Sequence, residues 1–133
     1  MYTLTHHARS HAGADRLWRS FTDPNALAAW LWPDPAATAE IALRAGGGWR
    51  ISAPTLGIGA SGVYRSVSAP QRLETTWRWD GESVETEVVV RFSGVGLILT
   101  HSGFGSAAER DAHIQGWRDC LARLPDWLDR TPV

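Results

Sequence analysis

The stretch VETEVVVRFSGVGLILTH, residues 84–101, carries the most regular pattern in the chain. From Val84 to Phe92 apolar residues alternate with polar ones, and after the turn signal Ser93-Gly94-Val95-Gly96 a second inward-facing run ends at His101. Period-two alternation predicts half-buried strands, and a short glycine-containing turn between them predicts an antiparallel hairpin. One face of this hairpin should therefore be covered and the other exposed to water.

The same period extends over residues 39–102, interrupted by turn signals. Asp80-Gly81 is typical of a hairpin, and the segment Gly57–Gly62 is predicted to be a flexible turn before a strand at Val63–Val67. With a first strand at Tyr2–Ser10, about seven strands are expected to form a meandering antiparallel sheet.

The residues between the first strand and the rest of the sheet have the helical period. Two short helices are predicted there, at Asp15–Phe21 and Pro24–Leu31. The second has a favourable N-cap in Asp23, and Trp32-Pro33-Asp34-Pro35 ends it because proline does not suit a helix interior.

The C-terminal segment is predicted to form the helix that covers the sheet. Ser106 and Glu109 fit a capping box. The apolar stripe that follows consists of Ile114, Trp117, Leu121, Leu124 and Leu128. Gly116 predicts a close backbone approach in mid-helix. Pro125 predicts a break or bend after about Leu124, with a short continuation starting at Pro125. The order of elements predicts an α+β helix-grip fold, in which a curved antiparallel sheet wraps around a long C-terminal helix.

Composition indicates an ordinary globular protein. The 133 residues and 14.6 kDa predict one domain over residues 1–133, and 44% hydrophobic and 20% charged residues are enough for a core. A net charge of −1 excludes the broad basic surface of a non-specific nucleic-acid binder. All 13 basic residues are arginine, so lysine Schiff-base chemistry is excluded.

The sequence also carries expectations about location. Cys120 is the single thiol, so no internal disulfide can form, which favours a reducing compartment. The first residues lack the layout of a secretory signal, and no apolar run approaches the roughly 18 residues of a membrane span. The chain is expected to be cytoplasmic, with no membrane contact.

Six groups of short motifs, in order along nearly the whole chain, resemble those of one protein family. They are Trp18 with Thr22-Asp23-Pro24 and Trp30, Leu43–Arg50, Gly62-Val63-Tyr64, Pro70–Leu73 with Thr76–Trp79, Leu97–Phe104 and His113–Trp117. They resemble the activator of heat-shock-protein-90 ATPase-like family of the START-related superfamily, which also includes pollen allergens and polyketide cyclases. The resemblance implies a seven-stranded sheet gripping a long C-terminal helix, often with an apolar cavity between them.

Aromatic and apolar residues on the inner face are the candidates for the walls of such a cavity, because apolar ligand sites combine aromatic walls with few polar groups. They are Trp30, Trp32, Trp49, Tyr64, Trp77, Trp79, Val88, Val90, Leu99, His101, His113 and Trp117. The alternative is plain core packing, which is the favoured interpretation of Trp18 and Trp117.

The five histidines are candidates for proton transfer or metal binding. His101 and His113 could form a titratable pair at the cavity mouth, but hydrogen bonding to backbone carbonyls or a surface position is favoured, since no carboxylate stands at motif spacing. His6, His7 and His11 are predicted to be solvated rather than to bind a metal, because neighbours on a strand point to opposite faces.

Other groups with chemical potential are given structural roles. Glycines 46–48 are predicted to form a turn and no phosphate cradle, because a strand follows them. Cys120 is predicted to be a small buried residue, and Glu82, Glu85 and Glu87 to be surface charge. No catalytic residue, metal or cofactor is assigned.

Three functions are compared. The leading hypothesis is binding of a small hydrophobic molecule in an apolar cavity between the sheet and the C-terminal helix, without covalent chemistry. The alternatives are a cyclase- or hydrolase-like enzyme that uses His101 or His113 with Tyr64, and an interaction domain that regulates a chaperone ATPase. The last requires an exposed patch on the outer face of the sheet. A homodimer formed through strand edges or exposed tryptophans is a further possibility.

Overall fold

The alternating runs fold into strands, and the segments with helical period fold into three helices. In chain order the elements are β1 (Tyr2–Arg9), α1 (Ala14–Thr22), α2 (Pro24–Trp30), β2 (Thr38–Ile41), β3 (Gly48–Ala53), β4 (Ile58–Ser68), β5 (Arg72–Trp79), β6 (Thr86–Ser93), β7 (Gly96–Phe104) and α3 (Ala107–Arg130). The structure is a computed structural model that describes residues 2–130.

The strands form one seven-stranded sheet in the order β1-β7-β6-β5-β4-β3-β2, and every neighbouring pair is antiparallel. Strands β2 to β7 follow one another as a meander, whereas β1 joins the sheet beside β7. The two-residue loop Gly94-Val95 connects Ser93 to its partner Gly96, as the turn signal predicted. The α+β class, the antiparallel sheet and the long C-terminal helix are all confirmed.

The inner face of the central strands is dry and the outer face is charged. Leu99 and His101 on β7 and Val90 on β6 are almost fully buried. On the outer face, Arg65 on β4 pairs with Glu87 on β6 at 2.9 Å. Period two therefore separates core from solvent, as expected for a sheet covered on one side.

The predicted caps are present on two helices. Asp23 Oδ1 accepts hydrogen bonds from the backbone N–H groups of Asn25 and Ala26 at the start of α2. Ser106 Oγ accepts from the N–H of Glu109 at 3.1 Å at the start of α3. These bonds satisfy donors that a helix cannot satisfy internally.

Helix α3 is continuous through Pro125, so the predicted break is wrong. Proline removes a backbone hydrogen bond and crowds the preceding turn, at a cost of about 3 kcal/mol in a helix interior. Here the stripe residues Leu124 and Leu128 are buried on both sides of it. Arg16 also donates to the Leu128 carbonyl at 2.6 Å. Packing on both sides of Pro125 therefore outweighs the lost bond.

None of the helices within residues 2–130 has the length and apolar character needed to cross a membrane.

Strand β4 begins earlier than predicted, because Ile58–Gly62 is strand rather than turn. The turn is confined to residues 54–57. A Cβ atom at Gly62 would overlap the Thr76 carbonyl oxygen and the Trp49 indole. Glycine at this position thus allows a large ring to lie against the strand. In the segment before β6, Val84 lies outside the strand and is 54% exposed, so its predicted inward position is also wrong.

Gly116 was expected to allow a close backbone approach, and this expectation is wrong. A Cβ atom built on Gly116 would have no heavy atom within 4 Å outside its own helical neighbourhood. The missing side chain leaves open space beside α3 instead of accommodating a neighbour.

Gly116→Ala should therefore raise the free energy of unfolding by about 0.5–1 kcal/mol, because alanine restricts the unfolded chain and favours helix without meeting any atom. Gly62→Ala is the contrasting variant and should lower it by about 1–3 kcal/mol, because the added carbon overlaps packed atoms. Urea unfolding of both variants checks these values. A loss of stability in Gly116→Ala would contradict the assignment of open space.

Candidate functional site: a tryptophan-lined groove

A groove of about 420 Å³ lies between the middle of α3, the turn between β3 and β4, and the segment that follows α2. It is lined by Trp32, Pro33, Leu56, Ile58, Trp77, Trp79, Ala112, His113, Gly116, Trp117, Asp119, Cys120 and Arg123. Its volume falls within the range of sites that bind small organic molecules.

A second, much smaller cavity of about 40 Å³ lies deeper between the sheet and the helices. Trp77 and Trp117 contribute to the walls of both spaces. This inner cavity has room for a water molecule but not for an organic ligand.

The predicted wall residues separate into three groups. Trp32, Trp77, Trp79, His113 and Trp117 line the groove. Trp49, Tyr64, Val88 and Val90 line the inner cavity, together with Trp77 and Trp117. Trp30, Leu99 and His101 line neither and are buried in the core. Trp30, for example, packs on Phe21 and donates its N–H to the Ser20 carbonyl at 2.7 Å.

Sequence reasoning missed two parts of the groove. Leu56 and Ile58 flank the glycine of the turn between β3 and β4, and they are 44% and 39% exposed. Gly116, Cys120 and Arg123 follow at helical spacing on one face of α3. That spacing was a usable signal for the helix face, whereas the position of the turn depends on tertiary packing.

Indole rings in mutual contact form the continuous wall of the groove. Trp32 stacks on Trp79 with ring centroids 5.7 Å apart and planes inclined by 19°. Trp77 then contacts Trp79 and Trp117 edge-to-face at 5.3 and 5.5 Å. Such geometries are the favourable ones for aromatic pairs.

His113 is held by the wall and by its own helix. Trp79 Nε1 donates to His113 Nε2 at 2.9 Å, and His113 Nδ1 lies 2.7 Å from the Glu109 carbonyl. Because an indole N–H can only donate, Nε2 is the unprotonated nitrogen and Nδ1 is the donor to the carbonyl. The ring is therefore neutral with both nitrogens engaged, and the predicted backbone hydrogen bond is confirmed.

His101 is held in the opposite tautomer. Trp117 Nε1 donates to His101 Nδ1 at 3.0 Å, so Nε2 carries the proton and donates to Thr86 Oγ1 at 2.6 Å. The Thr86 hydroxyl donates in turn to the Trp77 carbonyl. Burial, with a smaller contribution from His113, lowers the pKa of His101 to about 3. Its partners are side chains, not the backbone carbonyl that the sequence favoured.

Two further groups at the groove bear on its chemistry. Burial raises the pKa of the Cys120 thiol to about 11, so it is not a thiolate at neutral pH. The Trp77 N–H is buried and has no hydrogen-bond partner within residues 2–130.

The N-terminal histidines do not approach the groove. His7 and His11 are exposed, as predicted. His6 is half-buried and its Nε2 lies 3.1 Å from the Ile114 carbonyl, so the prediction of a solvated side chain is wrong for this residue. It faces α3 because β1 packs beside that helix. Residues 2–130 contain no group of three or more side chains placed to hold a metal ion.

Comparisons with known proteins agree with this architecture. Residues 11–129 match the model of the family described as "Activator of Hsp90 ATPase homolog 1-like protein". No match was found among curated proteins.

Solved structures share the fold over nearly the whole chain. A protein from Chromobacterium violaceum has a TM-score of 0.79 at 23% identity, with 97% of this chain and 98% of that chain covered. CalU16 from Micromonospora echinospora has a TM-score of 0.76 at 26% identity, with coverage of 96% and 76%. An Hsp90 activator from Plasmodium falciparum has a TM-score of 0.80 at 17% identity, with coverage of 97% of each chain.

Trp117→Phe should lower the free energy of unfolding by about 1–3 kcal/mol more than Trp77→Phe does. Only the first substitution leaves a buried acceptor, His101 Nδ1, without a donor. Both indoles are buried to a similar extent, and that of Trp77 makes no hydrogen bond within residues 2–130. Equilibrium unfolding in urea measures the difference. Equal losses in the two variants would show that the Trp117–His101 bond contributes nothing.

Stability should fall as the pH falls from about 6.5 towards 3, because the unfolded chain protonates His101 near pH 6.5 while the folded chain does so at about 3. The free energy of unfolding should fall by up to about 1.4 kcal/mol per pH unit in that window. Above about pH 6.5 the stabilisation by neutral His101 is complete. Urea unfolding near pH 7 and pH 5 checks the slope. His101→Gln keeps one donor and one acceptor, and it should lose less stability between the two pH values than wild type does. An equal loss would contradict the assignment.

Proposed function

The chain belongs to the activator of Hsp90 ATPase homolog 1-like family, and from this basis we propose that it binds a small hydrophobic molecule in the groove between the sheet and α3. The observation that carries the proposal is the groove itself, about 420 Å³ with a wall of contacting indoles. Binding there removes apolar ligand surface and aromatic surface from water together.

The opposite rim of the groove supports the same proposal. Leu56 and Ile58 are large apolar side chains left partly exposed at its edge. Gly116 adds no side chain to its floor, and the space above this residue is open. A ligand in the groove would therefore contact apolar side chains on both sides, and no side chain at position 116 would obstruct it.

The placement of polar groups favours binding without covalent chemistry. Both ring nitrogens of His101 and His113 are hydrogen-bonded inside the protein. Tyr64 lines the inner cavity and is absent from the walls of the groove. His101 and His113 pack against each other with ring centroids 5.2 Å apart, but Tyr64 lines the other cavity, so the three groups that a cyclase or hydrolase would use do not share one space.

Regulation of a chaperone ATPase is the second candidate, favoured by the family description and by the likeness to the Plasmodium falciparum activator. The outer face of the sheet carries paired charges, such as Arg50 with Asp80 at 2.6 Å and Arg65 with Glu87 at 2.9 Å. Paired surface charge is a weak basis for a docking patch. Stimulation of the ATPase rate of purified Hsp90, unaffected by filling of the groove, would favour this candidate.

A cytoplasmic location, suggested by the lone thiol of Cys120, is part of the proposal.

Binding is tested with the neutral dye N-phenyl-1-naphthylamine, whose fluorescence rises in apolar surroundings. Wild type should bind the dye, and Gly116→Leu should weaken binding at least about tenfold, because the new side chain occupies the groove. Ala122→Leu is the matched control, since Ala122 is exposed on the same helix and lines neither cavity. Absence of dye binding by wild type, or equal binding by both variants, would contradict the proposal.

A further inference from the structure

Arg123 lies at the edge of the groove with its guanidinium held in a fixed orientation. Its Nε donates to the Trp30 carbonyl at 3.2 Å, and its Nη2 donates to the Leu31 carbonyl at 2.6 Å. These carbonyls lie at the C-terminal end of α2, where no later N–H group of the helix can donate to them. The side chain is thus anchored on one edge of its plane and cannot swing freely.

Arg123 makes no ion pair within residues 2–130. Within residues 2–130 no acidic group lies within 4 Å of it. Asp119 stands one turn earlier on the same helix and also lines the groove, but its Oδ1 accepts from Gln115 Nε2 at 2.9 Å. Arg123 Nη1 makes no hydrogen bond with any of the described residues.

The guanidinium of Arg123 is held by two carbonyls and still has donors at Nη1 for a further acceptor. A guanidinium is also the side chain whose planar donors match a carboxylate or sulfonate. Arg123 stands beside Trp32 and Pro33, which line both the groove and a neighbouring depression that opens towards α2. The apolar walls and the oriented cation therefore meet at one end of the same groove.

We propose that the ligand of the groove is a hydrophobic anion, an aromatic or alicyclic molecule with a carboxylate or sulfonate group, and that Arg123 recognises that group. This inference rests on the proposed function and specifies its ligand class. The apolar part of the ligand lies against Trp32, Trp79 and Gly116, and the anionic group lies at the rim beside Arg123. The two carbonyl bonds to α2 orient the guanidinium before the ligand arrives, which reduces the entropy lost on binding.

The test compares two dyes that share the same phenylnaphthylamine body. 8-Anilino-1-naphthalenesulfonate carries a sulfonate, and N-phenyl-1-naphthylamine carries none. Wild type should bind the sulfonated dye about tenfold more tightly than the neutral one, as expected for a charge-assisted hydrogen bond. The preference should shrink at high ionic strength, because salt screens a partly exposed charge.

Arg123→Gln should weaken binding of the sulfonated dye about tenfold and so remove this preference, whereas the neutral dye, which offers no anion to Arg123, should lose less affinity than the sulfonated dye does. Glutamine can still donate to a carbonyl of α2, and Arg123→Lys, which keeps the charge, should retain most of the preference. Arg118→Gln is the matched control, because Arg118 is exposed on the same helix and lines neither cavity.

Three results would overturn the inference. Equal affinity of wild type for the two dyes, with no salt dependence, would show that the groove does not select an anion and would leave the proposed function standing. An equal loss of both dyes in Arg123→Gln would show that Arg123 serves only to cap α2. Failure of wild type to bind the neutral dye would refute the proposed function, and this inference would be refuted with it.

Discussion

Two crossed hydrogen bonds fix the position of α3 on the sheet. Trp79 donates from the sheet to His113 on the helix, and Trp117 donates from the helix to His101 on the sheet. Because each indole can only donate, the two bonds impose opposite tautomers on the two imidazoles and keep both rings neutral. A shift of the helix along the sheet would break both bonds together and leave a buried acceptor in His101.

The groove is a consequence of this attachment. The same bonds that hold α3 also orient the indoles of Trp79 and Trp117, and these rings form its wall with Trp77 between them. Trp77 has aromatic contacts on several sides and no hydrogen-bond partner within residues 2–130. The rigid wall therefore comes from packing and bonding within the protein, and the opening comes from the absence of a side chain at Gly116.

Local signals predicted the architecture well, because alternation, turns and caps act over a few residues. The hairpin of β6 and β7, the cap at Asp23 and the stripe on α3 were all predictable in this way. Glycine and proline were misjudged where tertiary packing decides their role. Nothing in the sequence shows that Gly62 faces an indole, that Gly116 faces open space, or that α3 continues through Pro125.

The candidate site was likewise predictable from the sequence where it depends on local pattern, and not where it depends on tertiary packing. Strand parity identified Trp77 and Trp79 as inward residues, whereas Leu56 and Arg123 join the groove only because a distant turn and the end of α2 approach α3. The tautomers of the histidines were likewise beyond the sequence, since their donors come from other elements.

The tryptophan wall also gives the molecule an optical property. Trp32 contacts Trp79, Trp79 contacts Trp77, and Trp77 also contacts Trp117 and Trp49, with ring centroids 5.2–5.7 Å apart. At such separations the electronic transitions of neighbouring indoles couple, so light absorbed by one ring is shared among all of them. The chiral arrangement of the rings should then give an exciton couplet in circular dichroism, an intrinsic and label-free signature of the assembled interior.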